Sequence, residues 1–484
     1  MEEINIEEIK QKTTTNVVFL SLRNIGLQAI STIGFFLLTI LLGTGEVGLF
    51  AIVAESVGIL GYFSDIGLAS ALIQQKNDVT KEDLQTTFLI QQILVIVSLI
   101  VISLIFFRLS ASRSYGLKET WIFVSLCFAF FTASLKTIPS VLLERKLNFK
   151  LISTVDIAEN ISFYLVAVVF AFFHFGAYSY AIATFFRSIL GLVLIYHFSS
   201  WPIGYSFSKT AAKRLFKYGI PFQLNSFIAM AKDRLSNLLV AGIIGRDSFG
   251  ILSWAQKGPR IPLSFMDAIM RVTFPTFSRL QDKTDLLKRS LEKSLYFIAL
   301  FVFPALAGIS LIAPDIIKII PKYTKWSPAI FPLYLYAVSY AIAAVTSPIT
   351  NAFNAIGKIT TTTKLMIMWT ILTWIFYPLL SLRYGYIGTS YAAVIVGSSS
   401  FVVWIIAHNI FKINILKIIL HPFISTILVI VSLISLQQLP LAPLSLLISK
   451  IIIGTLVYLC YHLTVSRNEV NWFISQTKWF SNKK

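Results

Sequence analysis

Residues Gly43–Asp65, GTGEVGLFAIVAESVGILGYFSD, and residues Gly245–Asp267, GRDSFGILSWAQKGPRIPLSFMD, align without a gap at an offset of 202 residues. Gly43 meets Gly245, Gly48 meets Gly250, Phe63 meets Phe265 and Asp65 meets Asp267. A second stretch aligns at an offset of 211, pairing Tyr180 with Tyr391, Ala181 with Ala392 and His197 with His408. Apolar sequences match easily by chance, so the glycines and aspartates carry the comparison. The chain reads as two copies of one unit.

What that unit is follows from composition. Of 484 residues, 56% are hydrophobic and 13% charged, against about a quarter charged in soluble domains. A bilayer span needs ~20 mostly apolar residues. Fourteen runs qualify: 17–42, 47–72, 85–107, 120–143, 151–173, 177–198, 217–244, 248–277, 294–313, 328–352, 364–382, 387–410, 418–436 and 444–465. In hydrocarbon every backbone group must be paired internally, so runs of this length are helices. The expected fold is an all-α polytopic membrane protein of about 14 transmembrane helices. Residues 1–208 form an N-lobe (helices 1–6), 209–412 a C-lobe (helices 7–12), and 413–484 two further helices and a cytoplasmic tail. Six spans per copy is an even number, so both copies start on the same side and are parallel repeats. This architecture belongs to transporters.

The net charge is +19. A nucleic-acid surface would gather Lys and Arg in soluble, mixed-charge segments. Here they sit mostly in short gaps between apolar runs, as topology signals do. With the N-terminus in the cytoplasm, inner segments hold 24 Lys plus Arg and outer loops hold 8. The even helix count returns the C-terminus, with Lys478, Lys483 and Lys484, to the cytoplasm. No cleavable signal peptide is expected, because the start MEEINIEEIKQK is acidic and the first span can direct insertion.

Nine Lys and Arg are not in loops. Each costs at least ~2.5 kcal/mol at the bilayer centre unless it faces a cavity or a partner. Lys450 is close enough to a span end to snorkel. The others are Lys257 and the candidates for a cationic, substrate-binding cavity: Arg23, Lys136, Arg187, Lys232, Arg234, Arg260 and Arg271. Arg260, Asp267 and Arg271 fall within about 40° on one helix face; an Asp267–Arg271 pair is the plain alternative to a functional stripe. Asp65, Asp233 and Asp267 are candidates for gating or ion coupling, with Asp65 and Asp267 equivalent in the repeat. Glu55, Asp156 and Glu159 also lie inside spans, the latter two near a cytoplasmic end where water can reach them. Basic residues outnumber the acids, which predicts an anionic substrate such as a phosphate held by Arg and Lys.

Other chemistries find little support. Cys127 and Cys460 fit no zinc spacing or disulfide framework, and no metal site, catalytic residue or cofactor is expected. Gly43–Gly48 matches G-x-G-x-x-G, but it joins two membrane helices and no strand precedes it, so the dinucleotide reading fails.

The wording of several segments is more specific. The stretch from Gly45 to Phe88, with Asp-Ile-Gly-Leu at Asp65–Leu68 and Ala-Leu-Ile-Gln-Gln at Ala71–Gln75, resembles the second and third helices of Wzx-type polysaccharide flippases, in their colanic-acid and teichuronic-acid exporter branch. Asp233-Arg234, the stretch Gly242–Gly250 and Phe274–Gln281 are similar to the seventh and eighth helices of that branch. The resemblance spans roughly residues 15–410. It implies a multi-pass protein of the bacterial inner membrane in the multidrug and oligosaccharide exporter superfamily. Such a protein is no enzyme. It moves undecaprenyl-pyrophosphate-linked oligosaccharide from the inner to the outer leaflet by alternating access. Expected partners are that lipid, membrane lipids, a coupling ion (H+ or Na+) and a polysaccharide polymerase, with no nucleic acid. The alternatives are a cation-coupled drug or metabolite antiporter, a peptidoglycan-precursor flippase, and a membrane glycosyltransferase or polymerase subunit.

Overall fold

In the computed structural model, residues 6–75, 78–113 and 116–465 are described. The acidic start at 1–5 and the tail carrying Lys478, Lys483 and Lys484 lie outside them. Among the described residues there is no strand. Helices follow one another as α1 (Ile6–Leu41), α2 (Thr44–Ser64), α3 (Leu68–Gln74), α4 (Lys81–Arg113), α5 (Leu117–Arg145), α6 (Phe149–Phe172), α7 (Tyr178–Phe198) and α8 (Lys209–Met230). A π-helical turn, Ala231–Leu235, leads into α9 (Ser236–Arg279) and α10 (Thr284–Ile319). A 3-10 turn, Tyr323–Ala329, then precedes α11 (Ile330–Ala355), α12 (Ile359–Ser398), α13 (Phe401–Phe411), α14 (Ile415–Leu436) and α15 (Pro443–Thr464).

The pattern of burial is that of a protein in lipid. On α4, Ile93, Val97, Ile100, Leu104 and Phe107 are exposed at helical spacing, while Asp83, Thr86, Thr87, Gln91 and Gln92 are buried. The buried amides reach across to α5: Gln91 donates to Thr137 Oγ1 at 2.8 Å and Gln92 to Ser134 Oγ at 3.2 Å. A polar inside and an apolar outside place this helix in a bilayer, where interhelical hydrogen bonds and close packing replace the hydrophobic drive. Eleven of the described helical segments are long and apolar enough to cross a membrane. Two of them, 231–279 and 359–411, contain a non-helical glycine, Gly245 (φ 79) and Gly385 (φ 61). Counting each as two spans, and adding α1, whose apolar part is Gly26–Leu41, gives fourteen.

The expected span 47–72 is not one helix. After Asp65 the chain passes through Ile66 (φ 46) and Gly67 (φ 76), both left-handed, and resumes as the short α3. Gly67 is required there: a Cβ would lie 2.4 Å from the Gly219 carbonyl oxygen of α8. Asp65 supplies the start of α3, accepting from the Ala69 N–H at 3.1 Å. Arg145 closes its end, donating to the carbonyls of Leu72 at 2.7 Å and Gln75 at 2.8 Å, which satisfies carbonyls a helix end leaves open.

The chain divides into two compact units, Met1–Gly250 and Ile251–Lys484. In the first, α5, α6 and α7 pack together and α1 lies on α6. Gly48 of α2 and Gly250 of α9, equivalent in the repeat, meet backbone to backbone. A Cβ on Gly48 would sit 1.8 Å from the Arg246 carbonyl oxygen, and one on Gly250 would sit 2.0 Å from that of Thr44. In the second unit, α10 packs on α11, α14 and α15, around a core that includes Leu291, Leu295, Ile349, Phe353, Val403 and Ile415. Lys450 of α15 does not snorkel. It is fully buried, 2.5 Å from Asp315 of α10, and also donates to the Leu311 carbonyl at 3.0 Å. Asp315, beyond the expected span 294–313, lies inside α10 and neutralises it.

Candidate functional site

The intramembrane charges fall into three groups, and partnership separates them. The first lies among α1, α5, α6 and α7. Arg23 pairs with Asp156. Lys136 is 2.5 Å from Glu159, whose other oxygen lies 3.5 Å from Arg187 Nε. The Arg187 guanidinium also sits over the Phe163 ring at 5.8 Å. Glu159 is 6% exposed, so it is not the water-exposed carboxylate its place near a span end suggested. It fits because Gly191 has no side chain: a Cβ there would be 1.6 Å from the carboxylate. Spacing explains the cluster. Asp156 and Glu159 are three apart on α6 and share a face, while each base arrives from a different helix. Buried charges survive in this form, paired and hydrogen-bonded.

The second group surrounds the π-helical turn, which contains Lys232, Asp233 and Arg234. π-helical turns widen a helix by one residue and recur at functional sites. Here the turn separates three consecutive charges. Lys232 is 2.7 Å from Asp233. Arg234 turns towards α2 and meets Glu55 at 3.0 Å, and Asn237 donates to the same carboxylate at 3.3 Å. The guanidinium lies directly on Gly58, where a Cβ would be 2.2 Å from Nη1. Glu55 is an intramembrane acid by its place in the sequence, but its partner Arg234 lies 179 residues away, beyond what helical spacing shows.

The third group lies on the part of α9 in the second unit and differs from the others. Arg260 and Arg271 are exposed and Asp267 is half-buried. None of the three makes a salt bridge among the described residues, so the Asp267–Arg271 pair is not formed. Lys257, a turn earlier, is half-buried. Pro259 and Pro262 flank Arg260 inside the helix, and each removes a backbone donor. Asp267 also differs locally from its repeat equivalent. Asp65 ends α2, whereas α9 continues past Asp267 to Arg279. The following residues explain this: Ile-Gly in the left-handed region after Asp65, against Ala268 and Ile269, which keep the helix.

The family described as "Polysaccharide biosynthesis protein" matches residues 37–330, more than half of the chain. The chain belongs to this family. It is 22% identical over 370 residues to "Lipopolysaccharide biosynthesis protein WzxC" of Escherichia coli (strain K12), covering 75% of this chain and 74% of that protein. It is also 22% identical over 301 residues to "Teichuronic acid biosynthesis protein TuaB" of Bacillus subtilis (strain 168), covering 61% of each. Among solved structures, "Lipid II flippase MurJ, inward closed conformation" superposes with a TM-score of 0.75 at 15% identity, covering 94% of this chain and 100% of that one. A multidrug resistance MATE family transporter in an inward-facing conformation follows at TM-score 0.58 and 16% identity, covering 80% of this chain and 95% of that one. At these identities the two structures speak to the fold: the chain is a multi-pass helical membrane protein with the fold of that transporter group.

Proposed function

We propose that this chain is a flippase for lipid-linked oligosaccharides. It moves undecaprenyl-pyrophosphate-linked repeat units from the inner to the outer leaflet of the bacterial inner membrane by alternating access, for capsule, exopolysaccharide or O-antigen synthesis. It is a transporter rather than an enzyme, with both termini in the cytoplasm and residues 1–208 and 209–412 as its repeated lobes. Family membership and the names of the WzxC and TuaB relatives support the substrate class.

One observation carries the reading to residues. The bases of the first unit's intramembrane clusters, Arg23, Lys136, Arg187, Lys232 and Arg234, each have a carboxylate, whereas Arg260 and Arg271 have none among the described residues. Two membrane-embedded guanidinium groups without counter-ions suit an anionic headgroup, which they can grip in bidentate fashion. Arg260 and Arg271 are therefore the proposed pyrophosphate ligands, and the paired bases hold the helices in place. Asp65, Asp233 and Asp267 remain proposals for gating or for coupling to H+ or Na+. A polysaccharide polymerase is the proposed downstream partner.

The inside-negative potential favours export of negative charge by ~2.3 kcal/mol per charge per 100 mV. Flipping of a pyrophosphate-linked oligosaccharide in proteoliposomes should therefore slow when the potential is collapsed. An unchanged rate removes the electrophoretic drive, and no flipping under any gradient removes the function. A cation-coupled drug antiporter is the second reading, prompted by the likeness to the MATE transporter; it predicts export of organic cations instead.

A further inference from the structure

The first unit contains an apolar cavity of about 940 Å³ that the charged clusters do not use. It lies between α2, α4, α5 and the first segment of α9, and Ile52, Ile59, Ile105, Leu109 and Leu238 are among its walls. At one end it reaches Gly116, Glu119 and Arg246, the side of the α1–α2 connection at Gly43. By the Lys and Arg bias that side is the outer one. From Leu49 to Leu60 the cavity follows α2 for about 16 Å at 1.5 Å per residue, close to half of a ~30 Å hydrocarbon core. Its depth is that of one leaflet. On the α4 side its lining residues Ile105 and Leu109 are exposed, so chains can enter from the bilayer.

A smaller polar cavity of about 250 Å³ shares Leu49 and Arg246 with the first and carries both signs of charge, from Glu46, Lys118, Arg246 and Asp247. Two of these are committed. Glu46 accepts from the backbone N–H groups of Gly43 at 2.9 Å and Ala177 at 3.1 Å, and Arg246 pairs with Glu119 at 2.7 Å. Lys118 and Asp247 are exposed, make no salt bridge among the described residues, and Asp247 accepts only a hydroxyl hydrogen bond, from Thr44 at 3.1 Å.

We propose that this pair of cavities is a binding site for an amine-bearing glycerophospholipid of the outer leaflet. The acyl chains fill the apolar cavity, Lys118 meets the phosphate and Asp247 meets the ammonium group. Leaflet depth suits an acyl chain, whereas a polyprenyl carrier is far longer than one leaflet. The balance of charge at the rim suits a zwitterion, whereas a pyrophosphate needs cations without counter-ions.

The test is photocrosslinking of the full-length protein in proteoliposomes. Three diazirine-bearing probes are compared: phosphatidylethanolamine, phosphatidylglycerol and a polyprenyl phosphate. Adducts are mapped by mass spectrometry, a readout independent of transport. Phosphatidylethanolamine should label Ile52, Ile105 and Leu109 roughly fivefold more than the other two, the effect of about one ion contact. Asp247→Asn should remove that preference, whereas Lys118→Gln should lower labelling by both glycerophospholipids, which share the phosphate. Gly242→Leu should remove the labelling itself, because Gly242 lines the cavity and a Cβ there has nothing within 4 Å. Equal labelling by all three lipids, labelling unchanged in Gly242→Leu, or labelling by the polyprenyl phosphate alone overturns the proposal. If Gly242→Leu does not accumulate, Asp247→Asn decides, since its side chain is exposed; an unchanged preference in that variant overturns the proposal.

Discussion

Replacing Glu159 by Leu should destabilise the first unit, and replacing Lys136 by Met at the same time should restore part of the loss. Glu159 is buried and stands 2.5 Å from Lys136 and 3.5 Å from Arg187. The Arg187 side chain is 44% exposed, so that contact is screened and contributes at most ~1 kcal/mol. The Lys136 contact dominates. Removing one partner of a buried pair costs ~3–5 kcal/mol, because the other charge stays buried, while replacing both by apolar groups is often close to neutral. Since Lys136 is 20% exposed, the lower end applies: about 3 kcal/mol for Glu159→Leu, with about 2 kcal/mol of coupling in the double mutant. A loss of that size lowers the unfolding midpoint by at least about 5 °C for a unit of some 250 residues. The assay is thermal unfolding of purified protein in detergent, read by tryptophan fluorescence and by loss of the monodisperse peak on size-exclusion chromatography. Gly191→Ala approaches the same contact from the other side, since its Cβ would occupy the carboxylate's position, and should lower the midpoint in the same direction. A Lys136→Met, Glu159→Leu protein no more stable than Glu159→Leu alone would refute the reasoning.

Two further outcomes follow from side-chain placement. Gly58→Val should displace Arg234 from Glu55, because a Cβ would sit 2.2 Å from Nη1. The guanidinium is the far end of a flexible chain, so the protein should fold with a loss of about 1–2 kcal/mol, seen as a smaller midpoint shift than Glu159→Leu gives. Lys450→Met should cost about 3–5 kcal/mol by stranding Asp315, while Lys450→Met with Asp315→Leu should recover most of it; equal midpoints for the single and double mutants would contradict the pair.

How much of this was legible in the sequence depends on range. The fourteen spans, the gap-free repeat and the all-helical fold were, because apolar length and glycine spacing are local properties. The interruption after Asp65 was not, since Ile66 and Gly67 sit in an apolar run and only the approach of Gly219 makes the left-handed turn necessary. The π-helical turn at Ala231–Leu235 left no signal beyond three consecutive charges. Ion pairing was the main loss. Counting stranded bases against acids predicted a positive interior as a whole, yet Glu159 pairs with Lys136, 23 residues away, and Asp156 with Arg23, 133 residues away. The Asp267–Arg271 pair, at favourable helical spacing, is absent. Helical spacing shows which residues share a face, but not what a neighbouring helix brings to it.

The two guanidinium groups of α9, Arg260 and Arg271, are the proposed headgroup ligands. The most direct measurement is the initial rate of outward flipping of a pyrophosphate-linked oligosaccharide in proteoliposomes, for wild type, Arg260→Ala and Arg271→Ala at matched protein levels. Each lost charge-assisted contact at ~1.5–3 kcal/mol should lower the rate at limiting substrate by at least about tenfold. The unfolding midpoint should stay within about 2 °C of wild type, because neither arginine supports an ion pair among the described residues. Wild-type rates from both variants, or a fall in rate matched by a fall in stability, would contradict the assignment.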